Sequence, residues 1–412
     1  MKNLFNEYVK TLETYIMFRI KQKTTALTES LTAKNRAPIM LSIGAPSDPP
    51  PQFSRDKLVE YMSEPGIHSY SVPKGEKFFL DAVREKMKRS FGASVENDEI
   101  CSLIGSKEGI GNFIRGIINP TTVESEKEII MVPDPGYASY KEMLKVSGGI
   151  AYSMPLTPEN NFMPDLDEVW ETMKKEGFNT DKVKAVILNY PNNPLGALAT
   201  PEYFEKAIAF CKKHGIILLN DAAYIEMTFP GAPKACSVLK FEGAKDVAIE
   251  FHSFSKSYAM TGWRLGWACG NKELVGMLAK LKSSLDTGIF KLLQKAGAET
   301  LNSKEGDEYI EKSVLNYQKK QKILTDGLSK LGWDTSKLPQ ATFYLWLPIP
   351  PRYKTSEEFT DDLLEKSGIV VVPGNGFGKY GEGWFRVSVV APDDKLYEAV
   401  ERMEADGFTF NR

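Results

Sequence analysis

Between about residues 98 and 275 the chain alternates short β-rich apolar runs with longer stretches whose apolar positions recur at helical spacing. The β-rich runs fall at 129–132, 185–189, 215–220, 247–251 and 266–269. Among the helical stretches, residues 202–213 put Phe204, Ala207, Ile208 and Cys211 on one face. Strands separated by helices predict an α/β unit with a largely parallel sheet. A long charged helical stretch then runs from Lys272 to Leu331, interrupted by turn signals at 286–288 and 303–306, and reads as a connector. Beyond it, strand-like runs at 342–347, 369–372 and 384–390 with helical runs at 356–366 and 395–405 predict a smaller α+β domain.

A chain of 412 residues exceeds what one core of ordinary size organises. The pattern divides into an N-terminal arm, 1–45, packing with the small domain, a large domain, 46–290, and a small C-terminal domain, 291–412. Charge is balanced, 52 Lys and Arg against 54 Asp and Glu, so no nucleic-acid partner is expected. The longest apolar runs, such as 216–219 and 369–372, fall far short of the ~20 residues of a membrane span. Mixed charges continue from the first residues through Lys23 without an apolar segment and cleavage site, so a cytoplasmic location is expected. Four scattered cysteines and three histidines have neither metal-ligand nor disulfide spacing, and no metal is expected.

Candidate chemistry collects after the β-rich runs. The run at 185–189 leads into Tyr190, Pro191, Asn192, Asn193, Pro194, Leu195 and Gly196; the run at 215–220 into Asp221, Ala222, Ala223 and Tyr224; and the run at 247–251 into Ser253, Phe254, Ser255 and Lys256. Ligands of open α/β sheets lie outside the carboxyl ends of the strands, so one crevice receives all three segments. Each has a plain structural reading as well. Pro-Asn-Asn-Pro is a turn, an Asp after a strand is a common helix N-cap, and a lysine is usually a surface charge.

The order Asn-Pro-x-Gly, Asp-x-x-Tyr, Ser-x-Ser-Lys, then Arg264 eight residues after the lysine, resembles the fold-type I, class I/II aminotransferases. Gly105-Ser106-Lys107-Glu108-Gly109, Pro133-Asp134-Pro135-Gly136-Tyr137 and Pro373-Gly374-Asn375-Gly376-Phe377-Gly378 resemble the bacterial LL-diaminopimelate aminotransferase group, and the similarity runs from about Ser42 to Phe408. The resemblance implies a large domain with a mostly parallel seven-stranded sheet, a smaller α+β domain and the cofactor pyridoxal 5′-phosphate (PLP).

Carried over by motif, Lys256 would hold PLP as a Schiff base and move the substrate proton, and Asp221 would pair with the pyridine nitrogen. Asn193 and Tyr224 would hydrogen-bond the phenolic oxygen, and Tyr137 would stack on the ring. Ser106, Ser253, Ser255 and Arg264 would hold the phosphate, with Lys107 beside them or facing a distal substrate carboxylate. Arg386, in Trp384-Phe385-Arg386-Val387-Ser388, would grip the substrate α-carboxylate, and Gly44 would line the substrate pocket. Tyr70 would reach the phosphate of a second subunit, implying a homodimer with shared sites. Transamination between an amino acid and a 2-oxo acid is thereby expected, with LL-diaminopimelate and 2-oxoglutarate as the substrates the resemblance favours. A broad alanine, aspartate or aromatic aminotransferase and a PLP-dependent β-lyase stay open. A ligand-binding regulator is disfavoured, because only about 40 residues precede the fold and such regulators carry a DNA-binding domain there. Ala45 and the run Pro49-Pro50-Pro51 depart from the family pattern near the pocket lid.

Overall fold

In this computed structural model the residues described are 6–12, 14 and 16–411. The first five residues, on which the reading of the N-terminus partly rests, lie outside them. The strands are β1 (Ile39–Met40), β2 (Ile100–Leu103), β3 (Ile129–Asp134), β4 (Ile150–Pro155), β5 (Val183–Leu188), β6 (Ile217–Asp221), β7 (Ala248–Ser253), β8 (Gly266–Gly270), β9 (Tyr344–Pro348), β10 (Ile369–Val370), β11 (Val372–Pro373) and β12 (Trp384–Ser388). The α-helices are α1 (Glu7–Lys10), α2 (Ile16–Ala33), α3 (Gln52–Tyr61), α4 (Lys77–Phe91), α5 (Ser106–Ile117), α6 (Ser139–Val146), α7 (Leu166–Lys175), α8 (Pro201–His214), α9 (Ala244–Val247), α10 (Phe254–Ser257), α11 (Lys272–Leu285), α12 (Lys291–Asn302), α13 (Lys304–Lys330), α14 (Ser356–Ser367) and α15 (Asp393–Ala405).

Seven strands make one sheet in the order β2-β8-β7-β6-β5-β3-β4. Only β8 runs against its neighbours; the other pairings are parallel. The parallel strands are buried on both faces, which is why they read as continuous apolar runs instead of alternating ones. Along β5, Ala185 and Ile187 face a layer containing Phe113, Ile114, Leu144 and Leu278. Val186 and Leu188 face the other layer, with Trp170, Met173, Phe204 and Ile208. Helix α8, between β5 and β6, shows why the boundaries fall where they do. Thr200 Oγ1 accepts from the Tyr203 amide at 3.2 Å, Pro201 takes the first helical position, and Gly215 ends the helix at φ +64°.

A second sheet, β11-β12-β9, is antiparallel and three-stranded, and β1 pairs with β10 in parallel. The expected strand at 369–372 is therefore two short strands in two sheets, parting at Val371. The connector is three helices, α11, α12 and α13, broken at both expected turns. Strands β2 and β4, at the two sheet edges, went unread because β2 has four residues with Cys101 and Ser102 inside it, and β4 has its apolar run interrupted by Ala151 and Ser153 and is only half-buried at most positions. Helix α2 lies against α14 and β11, tied by Arg19–Glu357 at 3.4 Å and Lys23–Asp361 at 2.7 Å. Among the described residues no helix is long and apolar enough to cross a membrane.

Strand β8 presses against the turn that starts α5. A Cβ on Gly266 would lie 2.5 Å from the His252 carbonyl oxygen, 3.2 Å from Gly105 Cα and 3.3 Å from the Ser106 nitrogen. All three are backbone atoms that cannot swing aside. Gly266→Ala is expected to cost about 1–3 kcal/mol of stability, read as a lower denaturant midpoint with an unchanged slope; an unchanged midpoint would show that the strands part without strain.

Candidate active site

The carboxyl ends of β5, β6 and β7 open into a cleft of about 340 Å³. Asp221 is the last residue of β6, Ser253 the last of β7, and Lys256 stands on the short helix α10 directly after it. Across the cleft the three-stranded sheet contributes Tyr344 and Arg386, and Ile16 and Met17 of α2 form part of the wall. Of the residues picked out by motif, Gly44, Ser106, Lys107, Tyr137, Asn193, Asp221, Tyr224, Ser253, Ser255, Lys256, Arg264 and Arg386 all line this one cleft. Tyr70 does not; its side chain is 87% exposed on the surface of its own chain.

Asp221 is buried, and no helix starts there. Its Oδ1 accepts from the Ala223 amide at 3.3 Å and its Oδ2 from the Tyr140 hydroxyl at 2.6 Å. The Asn189 side chain donates to the Asp221 backbone oxygen at 2.7 Å, and its own Oδ1 accepts from the Asn193 amide at 3.0 Å, stitching two strand-end loops together. Burial raises the Asp221 pKa, and the Tyr140 hydrogen bond is the largest influence holding it down.

Lys256 donates through Nζ to the Gly44 carbonyl. Burial, then the positive charge of Arg386, lowers its pKa to about 8, while Asp221 pulls in the opposite direction. A lysine in this state supplies a neutral amine for covalent or base chemistry that an ordinary surface lysine lacks.

At the other end, Gly105 adopts φ +84° and hands over to α5, whose first residue is Ser106. A Cβ on Gly105 would lie 2.9 Å from Arg264 Nη2. Arg264 donates to the carbonyls of Thr261 at 2.8 Å and Ile104 at 3.0 Å, from a left-handed backbone at φ 55° that a non-glycine residue seldom adopts. Ser253 Oγ accepts from the Ser255 amide at 3.2 Å. Hydroxyls, a guanidinium and a helix N-terminus together make an anion cradle. Amine, buried carboxylate and anion cradle in one cleft fit the aldehyde, ring nitrogen and phosphate of PLP.

Arg386 is buried, with its guanidinium 4.2 Å from the Tyr344 ring centroid and 4.8 Å from that of Phe377. Nη1 donates to Asn193 Oδ1 at 2.9 Å and Nη2 to the Ser42 carbonyl at 2.9 Å. Its Nε is buried with no hydrogen-bond partner among the described residues. The Tyr224 and Tyr344 hydroxyls lie 3.0 Å apart, and Lys107 Nζ lies 5.6 Å from the Tyr137 ring centroid. Sequence reasoning missed Tyr140, Asn189, Tyr344 and the pair Ile16 and Met17. Asn189 ends a run already read as a strand, and that position was a usable signal. Tyr344 and the α2 residues come from distant segments, and nothing local marks them.

A cleft with these groups at the carboxyl edge of a mostly parallel seven-stranded sheet defines a PLP-dependent transaminase of fold type I. Residues 36–403 match the family described as aminotransferase class I and II, and the chain belongs to it; membership implies use of PLP. The chain is similar to LL-diaminopimelate aminotransferase 2 of Nostoc sp., at 41% identity over 98% of this chain and 99% of the relative. It is similar to LL-diaminopimelate aminotransferase of Aquifex aeolicus at 40% identity over 97% and 98%. Among solved structures it superposes on apo BacF of Bacillus subtilis with a TM-score of 0.91 at 31% identity, covering 100% of both chains. Aspartate aminotransferase of Thermus thermophilus with maleate gives a TM-score of 0.87 at 26% identity over 98% and 100%.

The depressed Lys256 pKa has a stability consequence with a definite sign. In the cofactor-free protein the folded state holds this ammonium at a disadvantage that is fully present below about pH 8 and fades as pH rises toward the unfolded value of about 10.4. Lys256→Met is expected to be more stable than the parent at neutral pH, by on the order of 1–3 kcal/mol once the opening of the cleft to water is discounted. The gain should shrink to nothing at strongly alkaline pH. Thermal melts of both proteins across that range check it, and a gain independent of pH would show that packing, not charge, is responsible.

Proposed function

We propose that the protein transfers the amino group of LL-diaminopimelate to 2-oxoglutarate in a ping-pong cycle, with PLP held at Lys256. The observation that carries this reading is the convergence of the Lys256 amine, the buried Asp221 carboxylate and the Arg386 guanidinium on one cleft. Relatives named for LL-diaminopimelate at about 40% identity over nearly the full chain support the substrate. When bound, the cofactor supplies a conjugated ring that takes up the electron pair of the substrate Cα–H bond.

Each residue then has a task its surroundings suit. Lys256 would form the covalent attachment to the cofactor and, as a neutral amine, would carry the substrate Cα proton, for which a pKa near operating pH is favourable. Asp221 bears the charge opposite the ring nitrogen. Asn193 and Tyr224 would donate to the phenolic oxygen, and Tyr137 would stack on the ring. Ser106, Ser253, Ser255 and Arg264 hold the phosphate, with Lys107 at the rim. Arg386 and the backbone at Gly44 receive the α-carboxylate, and Lys107 attracts a distal carboxylate.

Tyr70 completes the phosphate site of a second copy of the chain, so the working unit is a homodimer; its exposure leaves the ring free to do so. We carry forward the same domain division, with the arm 1–45, a large domain 46–290 and a small domain 291–412, and place the enzyme in the cytoplasm. The apolar wall of Ile16, Met17, Tyr137 and Phe377 favours a second reading, an aminotransferase accepting apolar or aromatic donors.

The near-ultraviolet and visible spectrum of the PLP-loaded protein decides between these, followed through additions of LL-diaminopimelate, alanine, glutamate and phenylalanine. Conversion of the yellow form by LL-diaminopimelate at far lower concentration than by the others is expected. Equal or better conversion by phenylalanine would favour the second reading. Failure to take up PLP would sink the cofactor assignment, and pyruvate and ammonia formed without a 2-oxo acid would reveal β-elimination. Arg386→Lys should raise KM for the amino donor by about 10–100-fold with a smaller change in kcat, because an ammonium cannot reproduce the planar fork. Steady-state kinetics measure that split, and an unchanged KM would remove Arg386 from the carboxylate site.

A further inference from the structure

Tyr140 stands on α6 with its ring fully buried, and its hydroxyl reaches Asp221 Oδ2 at 2.6 Å. It is the only side chain among the described residues that donates a hydrogen bond to the Asp221 carboxylate. The other charged or titratable groups facing that carboxylate are otherwise engaged. His252, on β7, is bonded through Nε2 to Glu250 at 2.8 Å and stacked on Trp267 with ring centroids 4.6 Å apart. Lys256, on α10, donates to the Gly44 carbonyl. The remaining donor is the Ala223 amide, at 3.3 Å from the opposite oxygen.

Two donors, one on each oxygen, fix the plane of the carboxylate. Both are neutral, so they stabilise the negative charge without cancelling it. A lysine or arginine at position 140 would form a closed ion pair and leave little charge for a second cationic partner. The Tyr140 phenol also stays a donor across the working range, because burial and the neighbouring Asp221 push its pKa well up. Tyr137 packs edge-on against it, ring centroids 5.5 Å apart at 85°, and so ties the cleft wall to the same clamp.

We infer that Tyr140 is a positioning residue for the ring nitrogen of the cofactor: its hydroxyl, bonded to Oδ2, keeps Asp221 an anion and aims it at the cleft. This rests on the reading of the cleft as a PLP site. A carboxylate binds a protonated ring nitrogen only above its own pKa, so affinity for PLP falls as pH drops through that value. Loss of the phenol moves the fall to higher pH.

The test is titration of cofactor-free protein with PLP, and with the analogue in which carbon replaces the ring nitrogen, followed by absorbance across a range of pH. Tyr140→Phe is expected to bind PLP about tenfold more weakly than the parent at neutral pH, to lose affinity at a higher pH on acidification, and to bind the carbon analogue as the parent does. Tyr140→His restores a donor and should recover part of the lost PLP affinity; where Tyr140→Phe does not fold, the same comparison with the analogue is made on Tyr140→His, which should retain the preference for PLP. Unchanged PLP affinity and pH dependence in Tyr140→Phe overturns the inference, and so does an equal loss for PLP and the analogue, which would mark a purely structural role. A parent protein that binds no PLP overturns the site reading and the inference with it.

Discussion

A carboxylate buried at the end of a central strand is the constraint around which the cleft is built. Asp221 is buried, with little exposure to solvent, and an unsatisfied charge there would cost far more than any single packing contact contributes. The chain meets that demand from three directions. The turn after β6 supplies the Ala223 amide, α6 supplies the Tyr140 hydroxyl, and Asn189 pins the backbone so that the carboxylate cannot swing away. Because Asn189 also holds the Asn193 loop, the same hydrogen bonds set the position of the next group along the cleft.

That arrangement connects the two sheets. Asn193 belongs to the large sheet through its loop, yet its side chain accepts from Arg386 on β12 of the three-stranded sheet. Tyr224 and Tyr344 make a second connection, hydroxyl to hydroxyl. Lys256 ties in the segment after β1 as well, reaching back to Gly44. Groups far apart in sequence, from Gly44 to Arg386, are therefore held in one hydrogen-bonded frame. Arg386 and Lys256 also sense each other's charge, which contributes to the lowered lysine pKa.

Much of this was legible in the sequence, for physical reasons that differ from residue to residue. The parallel strands were readable because burial on both faces makes them continuous apolar runs, and the motif residues were readable because they follow those strands directly. The order of motifs then carried the resemblance to the aminotransferases, from which the proposed roles follow. The edge strands β2 and β4 were not readable, since a four-residue run and one interrupted by Ala151 and Ser153 carry too little periodicity to stand out. Tyr140 lies only three residues from Tyr137, but its value depends on a contact with a residue 81 positions away. Tyr344, Ile16 and Met17 reach the cleft through tertiary folding alone.

The setting of Arg386 carries a thermodynamic meaning. A free arginine side chain has roughly 2 kcal/mol of rotamer entropy to lose when it is fixed. Here two of its nitrogens are already bonded, and two aromatic rings flank its guanidinium. Its disorder was surrendered when the chain folded. Under the proposed function, a carboxylate arriving at the spare donors would meet a group with little freedom left to give up, so more of the attraction between them would appear as affinity.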